Sequence, residues 1–198
     1  EVILEKGDII NIPTGIFRGF ENVGTDYGMI MAILGGDDAG GGVIWAPQVI
    51  EDAKNHGLIL SEEGKLYNSK KGEKLPIGIN QMRTLSDDDL KSYPEPSTEE
   101  VVPNHVARYL DLVALSFEKP AKVIGEFGKL RDKPGFEVEF LTRNSAKNTR
   151  NVSPKPVVLM PVTGHWKMEA DGGEITINPG DTLSIPENIE YELHPSMT

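Results

Sequence analysis

Glu1-Val-Ile-Leu-Glu-Lys-Gly-Asp-Ile-Ile-Asn-Ile-Pro-Thr-Gly-Ile16 and Glu174-Ile-Thr-Ile-Asn-Pro-Gly-Asp-Thr-Leu-Ser-Ile-Pro-Glu-Asn-Ile189 are two copies of one pattern, 173 residues apart. Six of the sixteen aligned positions are identical, and most others keep apolar character or small polar size. Each copy reads as a strand, a Gly-Asp turn, an alternating strand, a proline, and then Gly15 or Asn188. Glycine and asparagine are the residues that most easily adopt positive φ, so the pairing of Gly15 with Asn188 points to one shared backbone geometry.

Around these copies, 21 glycines and 14 prolines punctuate short runs of Val, Ile, Leu, Phe and Tyr, the texture of a mainly β chain. Further strands are expected at Phe17 to Asn22, Tyr27 to Ile33 and Gly42 to Trp45. Others are expected at Leu110 to Phe117, Lys122 to Glu126, Phe136 to Thr142, Val157 to Met160 and Gly164 to Glu169. Phe136, Val138 and Phe140 alternate with Glu137 and Glu139, as in a sheet with one buried face.

The middle of the chain differs. Pro47 suits the first turn of a helix running through Ile50 and Ala53 to a stop at Gly57, with Lys54 and His56 in the last turn. Ser86 caps a short helix over Asp87 to Lys91, and Ser97 opens a Ser-Thr-Glu-Glu capping box. The expected organisation is a first β unit over residues 1–66, a polar, helical connector over 67–104, and a second β unit over 105–198.

The 31 Asp and Glu against 20 Lys and Arg give a formal charge of -11, which repels phosphate backbones and anionic head groups. Nucleic-acid and membrane partners are therefore not expected, and the apolar runs are far too short to span a bilayer. With no cysteine, disulfides, thiolate metal ligands and thiol nucleophiles are excluded. Glu1 is not Met, and Val2 to Leu4 already reads as strand, so the sequence is expected to begin inside a longer protein.

Gly7, Pro13, Gly15, Arg18 and Asn22 stand at the spacing G-x5-P-x-G-x2-H-x3-N, with Arg18 in place of the histidine. This resembles the second conserved motif of the cupin superfamily. The second copy follows as Gly180, Pro186, Asn188 and, in the histidine position, Tyr191. The stretches Arg18-Gly-Phe-Glu-Asn-Val-Gly and Trp45-Ala-Pro-Gln-Val-Ile-Glu-Asp-Ala-Lys resemble two-barrel cupins related in fold to gentisate and quercetin dioxygenases. The resemblance implies an all-β fold of two double-stranded β-helix, jelly-roll-like barrels, the first lacking its N-terminal strands, with a short helical connector. It also implies pairing through sheet edges into a homodimer or larger assembly, and a cytoplasmic, metal-dependent dioxygenase acting on an aromatic or small organic acid.

In such enzymes an Fe(II)-type metal is held by a His-X-His and a Glu upstream of the second motif. For the first barrel that segment would precede Glu1; for the second, Arg143 to Thr163 holds no His, Asp or Glu. No metal is therefore expected within this chain, and Fe(II) only where upstream residues supply its ligands. Arg18, whose guanidinium suits a carboxylate, together with Phe20 and Tyr191, are the expected substrate-binding residues. The alternative is a metal-free, non-catalytic cupin that binds a small molecule or regulates. His165 is expected to turn outward, with Trp166 facing the core, and His56, His105 and His194 stand at no ligand spacing. Gly35 to Gly42 lacks the Lys-Ser/Thr of a phosphate loop and reads as a hairpin.

Overall fold

The computed structural model describes residues 1–13, 15–34, 44–130, 135–146 and 150–196. The glycine-rich stretch 35–42 and the first half of the strand expected at 42–45 lie outside them. Elements run β1 (Ile9–Ile10), α1 (Pro47–Asn55), β2 (Leu58–Leu60), β3 (Leu66–Asn68), a 3-10 turn (Ser69–Lys71), α2 (Asp87–Leu90), α3 (Thr98–His105), β4 (Val106–Ala107), α4 (Tyr109–Leu115), β5 (Ala121–Ile124) and β6 (Val138–Phe140). They continue with β7 (Arg150–Asn151), β8 (Val157–Leu159), β9 (Trp166–Ala170), β10 (Gly173–Ile177), β11 (Leu183–Ile185) and β12 (Tyr191–Pro195). The protein is mainly β. Its sheets are small and antiparallel, and none closes among the described residues: one of four strands in the order β10-β9-β12-β7, and the pairs β1-β4, β2-β3, β5-β6 and β8-β11.

Two compact units partition the chain. One comprises Glu1–Ile12, Gly24–Gly35 and Ser97–Thr198; the other comprises Pro13–Val23 and Gly36–Pro96.

In the first unit both Gly-Asp turns adopt the same geometry. The Asp8 amide donates to Glu5 O at 3.0 Å and the Asp181 amide to Asn178 O at 2.9 Å. Each aspartate carboxylate bonds back to the amide that opens its turn, at 3.0 Å from Glu5 and 2.8 Å from Asn178. Gly7 and Gly180 sit at φ 89° and 92°, and Gly15 and Asn188 at 85° and 60°, so the shared positive φ read from the sequence is present. The strands that follow find different partners. β11 pairs with β8 (Leu183↔Leu159), whereas β1 pairs with β4 (Ile10↔Val106), and the Asn11 amide extends that pairing to His105 O at 2.9 Å. The pairing of this strand thus runs from Ile9 to Asn11.

Leu110 to Phe117 is a correction. Its Leu-Asp-Leu alternation suggests a strand, but Tyr109–Leu115 is the helix α4. The reason lies a hundred residues upstream: the Asp8 carboxylate accepts the Tyr109 amide at 2.8 Å and satisfies the helix start from outside the local sequence. Leu112 then enters a core of Ala107, Val123, Ile124 and Leu130, with Ile9, Phe136, Val138 and Phe140 packed against it. At its far end, Ser116 Oγ donates to Phe140 O at 3.0 Å and meets Ser145 Oγ at 2.9 Å, while Thr142 Oγ1 donates to Ser116 O at 2.6 Å. These hydroxyls, those of Ser116 and Ser145 buried, satisfy one another and lock the helix end to β6.

A second core gathers Ile185, Tyr191 and Leu193 from β11 and β12, with Leu141, Val157, Leu159, Met168 and Leu183 against them. Ile177 is buried and Trp166 half-buried, its indole donating to Thr163 O at 3.1 Å. Val2 to Leu4, Phe17 to Asn22 and Tyr27 to Ile33 form no strand, and Phe20 and Tyr27 stand 58% and 89% exposed. Alternation marks what a strand would bury, but a strand also needs a ladder, and no sheet of the described residues includes these segments.

In the other unit, α1 begins at Pro47 and ends before Gly57 at φ 77°, with Ile50 buried, as its sequence signals require. The β2-β3 hairpin closes on Ser61, whose Oγ accepts the Lys65 amide at 3.1 Å. On the other side of β2, the Met82 amide donates to Leu60 O at 2.8 Å. Both capping boxes, at Ser86 in this unit and at Ser97 in the first, are formed.

The two turn glycines separate strain from crowding. A Cβ on Gly7 would collide with the Tyr109 ring, whereas on Gly180 it would lie 3.6 Å from the flexible end of Met29, an ordinary contact. Gly180→Ala should cost about 1 kcal/mol for the backbone alone, and Gly7→Ala about 2–3 kcal/mol, read as urea midpoints. Asp8 gives a pH signature. Burial opposes its charge, yet the Glu5 and Tyr109 amides and the Arg108 guanidinium outweigh burial and hold its carboxyl below the usual value. The folded protein therefore binds this proton less readily than the unfolded chain. The stability it contributes is complete above the ordinary carboxylate range and is lost as pH falls through the folded value. Asp8→Asn should destabilise by about 2–3 kcal/mol at neutral pH, and the gap to wild type should narrow as denaturation is repeated toward pH 3.

Candidate functional site

The antiparallel register of β12 sets its two faces. Tyr191 and Leu193 point into the second core, opposite Ala170 and Met168 of β9, and Glu192 and His194 point out. Tyr191 is 8% exposed. Burial, and then the negative charge of Glu139, push its phenol above the ordinary tyrosine value, so it is a neutral hydroxyl across the physiological range. The inward side chains around it are Ile185, Leu193, Leu159 and the Met168 thioether. A phenol, a thioether and aliphatic chains do not fit a divalent iron, which takes imidazole and carboxylate ligands. Among the described residues, no three His, Asp or Glu side chains converge on one point.

Glu139 links Tyr191 to a shallow cleft that the sequence reading did not single out. After β5 the chain turns at Gly125 (φ 128°) and lies back along the strand, with the Lys129 and Leu130 amides donating to Lys122 O and Val123 O at 3.1 and 2.8 Å. Gly128 passes so close that a Cβ there would sit 2.7 Å from Val123 O. This fold-back walls a cleft with Lys122, Glu126, Phe127, Glu137 and Glu139 on its rim. Lys122 Nζ lies 3.9 Å from Glu139 and 5.8 Å from the centroid of the Phe127 ring, so the cleft already holds one cation between a carboxylate and an aromatic face. The alternation of Glu137 and Glu139 with the half-buried Phe136, Val138 and Phe140 was the available signal. It marks the outward face of β6, but not that the β5 loop folds over it.

No family model, no curated protein and no solved structure matches this chain.

The three expected substrate-binding residues are distributed between the units. Arg18 and Phe20 are exposed on a segment of the unit built from Pro13–Val23 and Gly36–Pro96, and Tyr191 is buried in the other. Beside Arg18, Phe17 packs on Tyr93 with ring centroids 4.9 Å apart. His165 is exposed as expected, its Nδ1 2.7 Å from Asn178 Oδ1. His56 closes α1, bonding its own helix at Asp52 O, and His194 Nε2 lies 3.5 Å from Glu192. Glu192 is also held by Arg150 Nε at 2.8 Å, giving β12 a charged outer face.

The Tyr191 environment is testable by alkaline titration at 295 nm. The difference between wild type and Tyr191→Phe should show one phenol ionising above the ordinary range. Glu139→Gln, which removes one of the two causes, should move that step down without restoring the ordinary value. Because the folded state resists this ionisation, the contribution to stability is complete below the unfolded tyrosine value and declines as pH rises beyond it.

Proposed function

We propose that this chain is part of a duplicated, cupin-type barrel protein, and that its C-terminal copy is a metal-free module that packs as scaffold and takes a small molecule without oxygen chemistry. The matched Gly-Asp turns support the duplication, since both copies repeat the same positive-φ glycine and the same aspartate back-bond. The observation that carries the functional reading is Tyr191. It stands where the cupin motif has its histidine, and here it is buried among aliphatic side chains with a neutral phenol.

A second reading has a specific support in Arg18. It is exposed, and no carboxylate among the described residues pairs with it, which suits an anionic group of a substrate. In that reading the protein is a dioxygenase acting on an aromatic or small organic acid, with the metal ligands supplied from outside this sequence.

Elemental analysis with anomalous scattering, on protein equilibrated with Fe(II) or Mn(II), separates the two for the C-terminal copy. The proposal expects substoichiometric metal and no thermal shift. One equivalent of metal located between residues 136 and 198 overturns it. The packing role has its own measure: Tyr191→Phe should be nearly neutral, and Tyr191→Ala should cost about 3 kcal/mol through the cavity it leaves.

A further inference from the structure

The second Gly-Asp turn carries something that the first does not. Asn178 opens it, and its side chain is held on both sides. Asn178 Nδ2 donates to Asp181 Oδ2 at 3.1 Å, and the Asn178 backbone amide donates to the same oxygen at 2.8 Å. A carboxylate only accepts, so the amide nitrogen of Asn178 must face Asp181 and its carbonyl oxygen must face His165. That oxygen lies 2.7 Å from His165 Nδ1 and can only accept, so Nδ1 carries the proton. In the neutral ring the lone pair is then on Nε2. In the first copy the corresponding position is Glu5, and Asp8 is spent on Arg108 and Tyr109 instead.

His165 is exposed, and the strand it precedes is fixed without its ring, through the Ser196 amide on His165 O at 2.8 Å. An aspartate–asparagine relay that orders an exposed imidazole does nothing for packing. It sets which nitrogen faces outward, as the outer partners of functional histidines do. We propose that His165 is a preset proton acceptor: Asn178 and Asp181 hold its proton on Nδ1, so that Nε2 meets a small ligand bearing an O–H or N–H donor. The hydroxyls of Thr163 and Tyr109, 3.4 Å apart, belong to the same end of the unit, Thr163 two residues before His165. Asn178 and Asp181 are positioning residues in this arrangement, which does not depend on the cupin reading.

Long-range nitrogen-15 spectra of the histidine rings, recorded well above the imidazole range, test it directly. Wild type should show His165 with its proton on Nδ1. Asn178→Asp, which still turns an accepting oxygen to His165, should keep that tautomer, and Asn178→Ala should move the ring toward the Nε2–H form that free imidazole prefers. As an accessibility probe, diethyl pyrocarbonate should modify His165 ahead of His105, whose Nδ1 is buried. A wild-type ring with its proton on Nε2, an Asn178→Ala ring unchanged from wild type, or a His165 that resists the reagent while His105 reacts would each overturn the proposal.

Discussion

The first unit depends on one carboxylate. Asp8 is 2% exposed at its side chain, and it gathers the Glu5 amide, the Tyr109 amide and Arg108 Nη1 at 2.7–3.0 Å. Arg108 Nη1 also donates to Ile3 O at 2.8 Å. A buried charge is tolerated only where its hydrogen-bonding capacity is filled, and here the filling comes from its own turn and from the adjacent residues Arg108 and Tyr109, a hundred residues on. The turn, the N-terminal segment and the start of α4 are consequently held in register by a single side chain. β1 can then lie on β4, and Leu112 can reach its core.

Comparison of the two copies shows how one local motif serves different ends. The turn geometry is intrinsic: a glycine at positive φ, an aspartate bonding back, and a proline before the next reversal. What differs is the outward reach of the aspartate. In the first copy it is buried and satisfied by a remote arginine and a helix start. In the second it is exposed and passes its orienting effect through Asn178 to His165. The strands after each turn also differ in partner, β4 in one and β8 in the other, although they carry similar residues.

What could be read from the sequence was what is decided locally. The Ser86 cap, the Ser97 capping box, the Pro47 to Gly57 helix, the positive φ of Gly15 and Asn188 and the outward turn of His165 all follow from a few neighbouring residues. Remote partners decided the rest. α4 reads as a strand because its cap is Asp8, and the alternating segments Phe17 to Asn22 and Tyr27 to Ile33 remain outside any sheet because pairing depends on a second strand. The cleft at Glu139 escaped notice for a similar reason. Its wall is a fold-back made possible by Gly125 and Gly128, and no periodicity announces it.

The separation between Asp8 and its partners also bears on how the unit is made. Asp8 and Arg108 are 100 residues apart, and β1 waits on β4 across a similar distance. Closing so long a loop costs entropy before any contact offsets it, which places this step late in folding. On the ribosome, the apolar strand at Ile9–Ile10 leaves the exit tunnel long before Val106 is joined to the chain, with its edge open to other nascent chains in the interval. Lys6 and Asp8 flank that short strand on the N-terminal side, and two paired residues are as little edge as a strand can offer. Brevity, which weakens β1 as a structural element, also limits its capacity to recruit the wrong partner during synthesis.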